Sequence, residues 1–306
     1  MKQAIAIIKP YFRWFILGGT LFFLLKTLKE RFAEIATVRI ESTGWLMLII
    51  SLIITLLAHI WSGWVWTWIL AIFQQSLGLA KGIRVYLITN IAKYLPGNVW
   101  HFYGRINAVS QKRGSVSAAT FSVLLEPLLM AASALLIAIF STALGLVKTD
   151  LNFTIYLGQL LVLMAVLVGI HPRILNPLLD RLSRSKEKVT LEQKTELTTY
   201  PFLPFLGEIG FVLFRGLGFI FAFMVLQSIA FSQIPSVISA FSIAWLLGLI
   251  VPGAPGGVGV FEATAIALLD ESQFPPANVL IVVALYRVIS ILAEAIAAFI
   301  AWIIEH

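Results

Sequence analysis

The sequence predicts an all-α polytopic membrane protein of about six spanning helices plus two Pro-Gly-broken re-entrant hairpins, arranged as an inverted repeat. Three observations carry this. Of 306 residues, 59% are hydrophobic and only 12% charged, against roughly 25% charged in a soluble domain, and the mean hydropathy is +0.94. Apolar runs near the spanning length of about 20 residues recur along the chain. Two further stretches share one pattern, an apolar arm, a Pro-Gly break and a second arm. This composition excludes a soluble enzyme, a disordered chain and a nucleic-acid-binding domain of the usual kind. The net charge of +7 points, in so apolar a chain, to the cytoplasmic membrane surface.

Taken in order, helix 1 runs from about Tyr11 to Leu28. Lys2, Lys9 and Arg13 precede it as in a signal peptide, but no small-residue cleavage site follows, so it reads as a retained first span. Helix 2 runs from about Trp45 to Phe73. Residues 82–108 form the first odd stretch, with Lys93, Pro96, Gly97, Asn98 and Arg105 inside a helical pattern. A span from about Ser117 to Val147 follows, containing Glu126-Pro127, and another from Leu151 to Ile170. Residues 171–200 are polar and form most of a cytoplasmic loop, 171–203, that can touch anionic lipid. A helix from about Pro204 to Phe231 leads to the second odd stretch, 235–269, broken at Pro252-Gly253-Ala254-Pro255-Gly256-Gly257. The last helix is about Pro276 to Ile304.

The first arms of the odd stretches measure roughly 13 and 17 residues and the second arms about 12. A 12-residue helix covers about 18 Å, short of a ~30 Å hydrocarbon core. Broken backbone at membrane depth survives where protein or a wet cavity surrounds it. Both stretches therefore read as hairpins that enter and leave on one side; a single kinked span is the alternative for 82–108. The whole chain, 1–306, is then one transmembrane domain of two pseudo-repeats, 1–150 and 151–306. Each has three crossings, so the second is inverted, a plan shared by many secondary transporters. With both termini inside, thirteen Lys and Arg fall on inner segments and five on outer ones, as the positive-inside rule requires.

Ionisable residues within a membrane cost about 2.5 kcal/mol or more each on insertion scales. Arg215 and Arg287 each lie eleven residues after a helix-starting proline (Pro204, Pro276), roughly 17 Å deep. Glu208 and Glu294 stand seven residues from them, nearly two turns and so on the same face. Glu126 reaches a similar depth from the other half. These residues read as a polar cavity whose cations face an anion, or as structural ion pairs of Arg215 or Arg287 with Glu126, Glu262 or Glu294. Each break also starts a half-helix. Asn98 is a candidate N-cap, Gly256-Gly257 opens the second with Glu262 in its early turns, and a helix N-terminus suits phosphate. Lys93 and Arg105 add charge at the first break. The alternative is that the glycines serve close helix packing.

Trp61, Trp64, Trp66 and Trp68 read as an interfacial aromatic belt, and His59 as a packed core residue. With no cysteine and four scattered histidines, no metal site is expected. No nucleotide-binding P-loop or nucleophile elbow is present, so no cofactor and no catalytic residue is expected.

Lys93-x-x-Pro96-Gly97 followed by Arg105, and Pro255-Gly256-Gly257-x-Gly259-x-x-Glu262, resemble the two signatures of the lysylphosphatidylglycerol synthase transmembrane region, also called the UPF0104 or flippase-like family. The resemblance spans nearly the whole chain. It implies a membrane region that binds or moves lipids, such as aminoacylated phosphatidylglycerol or polyprenyl-linked sugars. It also implies Lys93, Pro96, Gly97, Arg105, Gly256, Gly257, Gly259 and Glu262 as site residues. The sequence stops at His306, just after the last helix, so the soluble synthase domain that some members carry is expected to be absent and synthase activity is not implied. The expectation is a non-enzymatic lipid flippase or lipid-binding carrier in the cell (inner or plasma) membrane. The hairpin tips, Arg215 and Arg287 are expected to hold the phosphate of an anionic or polyprenyl-linked lipid at the midplane. The rivals are a membrane-embedded transferase with Glu126 or Glu262 as base, and a non-transporting partner subunit that docks an enzyme through 171–200.

Overall fold

In a computed structural model, residues 40–94, 99–112, 114–144, 153–184, 196–251, 257 and 259–304 are described. Helix 1 and the tip residues Pro96, Gly97, Asn98 and Gly256 lie outside them. The described residues form ten α-helices and no strand. They are α1 Ser42–Ile72, α2 Leu79–Asn90, α3 Trp100–Ser110, α4 Val116–Ala143, α5 Phe153–Gly169, α6 Pro172–Arg184, α7 Phe202–Phe223, α8 Ile234–Ile250, α9 Val260–Leu268 and α10 Pro276–Ile303. Short 3₁₀ turns, Ile91–Tyr94 and Phe231–Gln233, follow α2 and precede α8.

Among the described residues, α1, α4, α7, α10 and the stretch Phe231–Ile250 are long and apolar enough to cross a membrane. The segments Tyr156–Gly169 and Pro172–Arg181 qualify as a sixth crossing only together, across a bend of 68°. The multi-pass all-α architecture expected from composition is therefore present. Phe231–Ile250 has 20 residues, so the first arm of the second broken stretch reaches full spanning length once its 3₁₀ turn is counted. The apolar side chains of α1 that face outward, Leu46, Ile49, Ile53 and Leu57, recur at helical spacing and are each about half exposed, the stripe a lipid-facing helix presents.

Two boundaries differ from the sequence reading. α7 stops at Phe223, eight residues before the expected end. There Gln227, Gln233, Gln273 and Asn278 hydrogen-bond one another and the backbone, which satisfies a turn in place of more helix. The polar segment 171–200 is not all loop, for α6 occupies its first part. Leu175 and Leu179 fall one helical turn apart, Leu179 is buried, and Arg173 lies on exposed surface. That is the pattern of an amphipathic helix that lies along an interface. Asn176 fixes the returning chain by accepting from the Leu197 N–H at 2.8 Å and donating to its carbonyl at 3.1 Å. Nearby, the Tyr200 hydroxyl donates to the Leu167 carbonyl, and burial raises its pKa above the ordinary tyrosine value.

The chain forms two compact units, each drawing on both sequence halves. One consists of residues 55–136, 151–214 and 292–306, the other of 1–54, 137–150 and 215–291; they are called here the Arg105 unit and the Arg287 unit. The core of the Arg105 unit gathers Trp66, Leu70, Leu77, Tyr86, Leu87, Val109, Ala119, Ala297 and Ala301. Helices α1 and α2 touch closely, and a Cβ on Gly82 would stand 2.5 Å from Thr67. Trp66 is completely buried, so it belongs to this core and not to the expected belt. Trp61, Trp64 and Trp68 pack edge to face against one another. The core of the Arg287 unit is aromatic. Phe219 is ringed by Phe223, Phe241, Phe261 and Tyr286 at centroid distances of 5.0–5.7 Å, mostly edge to face, the arrangement that aromatic quadrupoles favour.

Candidate functional site

Each unit contains one of the Pro-Gly motifs, and beside each a partly exposed cation is set against a buried carboxylate. In the Arg105 unit, α2 tightens into the 3₁₀ turn Ile91–Tyr94 before the break. Lys93 on this turn donates to Glu294 Oε1 at 2.5 Å. The lysine side chain is 27% exposed and the glutamate 2%. His59 Nε2 lies 3.2 Å from the same oxygen, so His59 is a buried, polar-contacted core residue, as the sequence suggested.

After the break, α3 carries Arg105 inward. Its Nη1 donates to Glu126 Oε2 at 2.5 Å, and both side chains are almost fully buried. The Tyr86 hydroxyl donates to the other Glu126 oxygen at 2.7 Å, with Ser62 Oγ 2.7 Å from the Tyr86 oxygen. Asn90 Oδ1 accepts from Arg105 Nη2 at 3.4 Å. The guanidinium carbon stands 3.7 Å from the centre of the Tyr86 ring and 5.7 Å from that of Trp66, a cation–π pairing that strengthens when desolvated. Arg105 was expected to offer charge to a ligand at the break; it is instead matched on several sides inside the core. Glu126 is correspondingly its counter-ion. Sequence reasoning missed Tyr86 and Asn90, although their i, i+4 spacing on one face of the short arm α2 was a readable signal.

In the Arg287 unit, α8 ends at Val251 with extended backbone, and α9 starts after Gly259. Gly257 and Gly259 have φ of +70° and +85°, values at which other residues are strained. A Cβ on Gly257 would stand 2.9 Å from the Gly248 Cα, so two backbones touch there. This is the close packing considered for these glycines. Glu262 then closes the start of α9, since its Oε2 accepts from the Gly259 N–H at 2.6 Å. Its Oε1 accepts from Arg287 Nε at 3.0 Å and Nη2 at 2.5 Å. Arg287 is 27% exposed and Glu262 8%. The helix N-terminus expected to await a phosphate therefore already holds a carboxylate from its own chain. Of the ion pairs considered from sequence, Arg287 with Glu262 is formed. Arg215 lies mostly buried in the same unit, its guanidinium carbon 5.0 Å from the Tyr286 ring centre. Its carbonyl accepts from the Tyr286 hydroxyl at 2.8 Å. Tyr286 was not singled out in the sequence, though it directly precedes Arg287.

Lys93 and Arg287 hold buried carboxylates of their own chain by charge-assisted hydrogen bonds. Fold and sites together define a polytopic α-helical membrane protein with buried ion pairs between its helices. The family model for the lysylphosphatidylglycerol synthase TM region matches residues 5–298, and the chain belongs to that family, which makes it a multi-pass membrane protein linked to lipid handling. No curated protein matches the chain.

Proposed function

We propose that the protein is a lipid carrier of the flippase type, binding the phosphate of an anionic or polyprenyl-linked lipid and passing the headgroup through the membrane unchanged. The observation that carries this is the Arg287–Glu262 pair. A partly exposed guanidinium grips a carboxylate at a helix start, so an arriving phosphate can take the carboxylate's place without building a new site. Lys93 with Glu294 repeats the arrangement at the other break, and each seat works within its own unit. Arg215, over Tyr286, adds positive charge beside the first seat. Gly257 and Gly259 form the turn that sets Glu262 at the start of α9, opposite Arg287. The acyl or prenyl tails stay in lipid, and rocking of one inverted repeat against the other alternates access. The reading places the protein in the cell membrane with both termini in the cytoplasm.

Non-enzymatic action is supported by the carboxylates themselves. Glu126 and Glu262, the candidate bases of a transferase, have both carboxylate oxygens engaged, Glu126 by Arg105 and Tyr86 and Glu262 by Arg287 and the Gly259 N–H, so neither offers a lone oxygen to a substrate proton. The test is headgroup translocation in reconstituted vesicles with mass spectrometry of the recovered lipid. Arg287→Ala and Lys93→Ala each slow translocation about tenfold or more, the effect of losing one charged hydrogen bond, and the lipid is recovered unmodified. Wild-type rates in both variants sink the site, and a chemically altered lipid establishes the transferase.

A further inference from the structure

Glu208 has no place in either seat. It sits in the first turns of α7 with no solvent exposure at all. Neither of its carboxylate oxygens has a hydrogen-bond partner among the described residues. An ionised carboxylate in that position bears most of its desolvation cost uncompensated. The charged and titratable groups acting on it come from three elements packed in the same unit, namely Tyr86 of α2, Arg105 of α3 and Glu126 of α4. Helix α1, which packs against Gly207 and Gly210 through Trp61 and Val65, brings His59, itself beside Glu294.

Arg105, in the same unit, is already matched by Glu126 through a direct 2.5 Å hydrogen bond, and no hydrogen bond reaches Glu208 among the described residues. We propose that Glu208 is a proton-carrying site, and that the carrier couples headgroup movement to proton movement through it. The step is simple in its balance: the carboxylate takes one proton delivered by water to become a neutral acid, and returns it to water when the unit rearranges and hydrates the site. Arg105 stays with Glu126 throughout. Intramembrane carboxylates of this kind mark proton relays in pumps and transporters. This supplies an energy source for the proposed carrier, and in that respect rests on the carrier reading.

The experiment has two arms on purified full-length protein. In proteoliposomes of phosphatidylcholine with a fluorescent phosphatidylglycerol, an imposed pH gradient drives wild-type protein to an unequal lipid distribution, up to about tenfold per pH unit for one proton per lipid. Glu208→Gln still equilibrates the lipid but builds no inequality. Infrared difference spectroscopy on the same samples reads the carbonyl stretch of a protonated carboxyl, present in wild type, shifted in heavy water and lost in Glu208→Gln; Glu208→Asp, which keeps the acid, retains a displaced band. A wild-type distribution indifferent to the gradient overturns the coupling, and spectra identical in wild type and Glu208→Gln overturn the proton site. If wild-type protein moves no lipid under any gradient, the carrier reading and the coupling fall together, whereas the infrared band still decides the proton site by itself.

Discussion

The two breaks look alike in sequence and differ in how they bury charge. Around Arg105, guanidinium and carboxylate are both withdrawn from solvent and wrapped by Tyr86, Asn90 and Trp66. Around Arg287 the carboxylate is buried but the cation is partly open. The same residue types thus do different jobs. A closed pair is committed to the fold, because separating it strands a charge, while a half-open pair keeps a cation that can change partners. Under the proposed function, exposure of the cation, more than its presence inside the membrane, separates the structural pair from the lipid-binding one.

Disrupting the closed pair is the strongest way to test this contrast. Glu126→Leu leaves Arg105 buried without its counter-ion and lowers stability by about 3–5 kcal/mol, measured by denaturant unfolding in detergent micelles. Adding Arg105→Met to the same chain recovers most of that loss; a single variant as stable as wild type contradicts the structural role. Next in size is Gly257→Ala. Its positive φ and the nearby Gly248 backbone together cost about 1–3 kcal/mol, and lipid binding falls with it, whereas a neutral result removes the close backbone contact from the picture. Arg287→Ala is the informative intermediate case. It leaves the buried Glu262 with only the Gly259 N–H and costs about 1–2 kcal/mol of stability while impairing lipid movement, a split the closed pair cannot show. The smallest effect belongs to Gly158→Ala in α5. A Cβ there meets nothing within 4 Å, so stability stays within about 1 kcal/mol of wild type, in the direction of gain.

Much of this architecture was legible in the chain. Long apolar runs announced α1, α4, α7 and α10, because spanning length and hydropathy act locally. The turn between α8 and α9, seen in the extended Val251 and the positive φ of Gly257 and Gly259, followed from glycine geometry in the same way. The partners of the charges were harder to read. Sequence spacing put Glu126, Glu262 and Glu294 forward as alternatives for Arg215 and Arg287, and only tertiary packing selected Glu262 for Arg287, Lys93 for Glu294 and Arg105 for Glu126. The helix α6 went unread because its charged residues suggested solvent, although leucines at helical spacing lay among them. Trp66 could not be told from its neighbours on α1, since the direction each side chain faces depends on what packs beside it.

The central claim is that Arg287 exchanges an internal carboxylate for a lipid phosphate. Native mass spectrometry of lipids that co-purify with wild-type protein, Arg287→Ala and Gly158→Ala tests it most directly. Anionic phospholipid or polyprenyl-phosphate adducts on wild type and Gly158→Ala, depleted on Arg287→Ala, are the predicted result. Adducts of equal abundance and identity on all three proteins would contradict it.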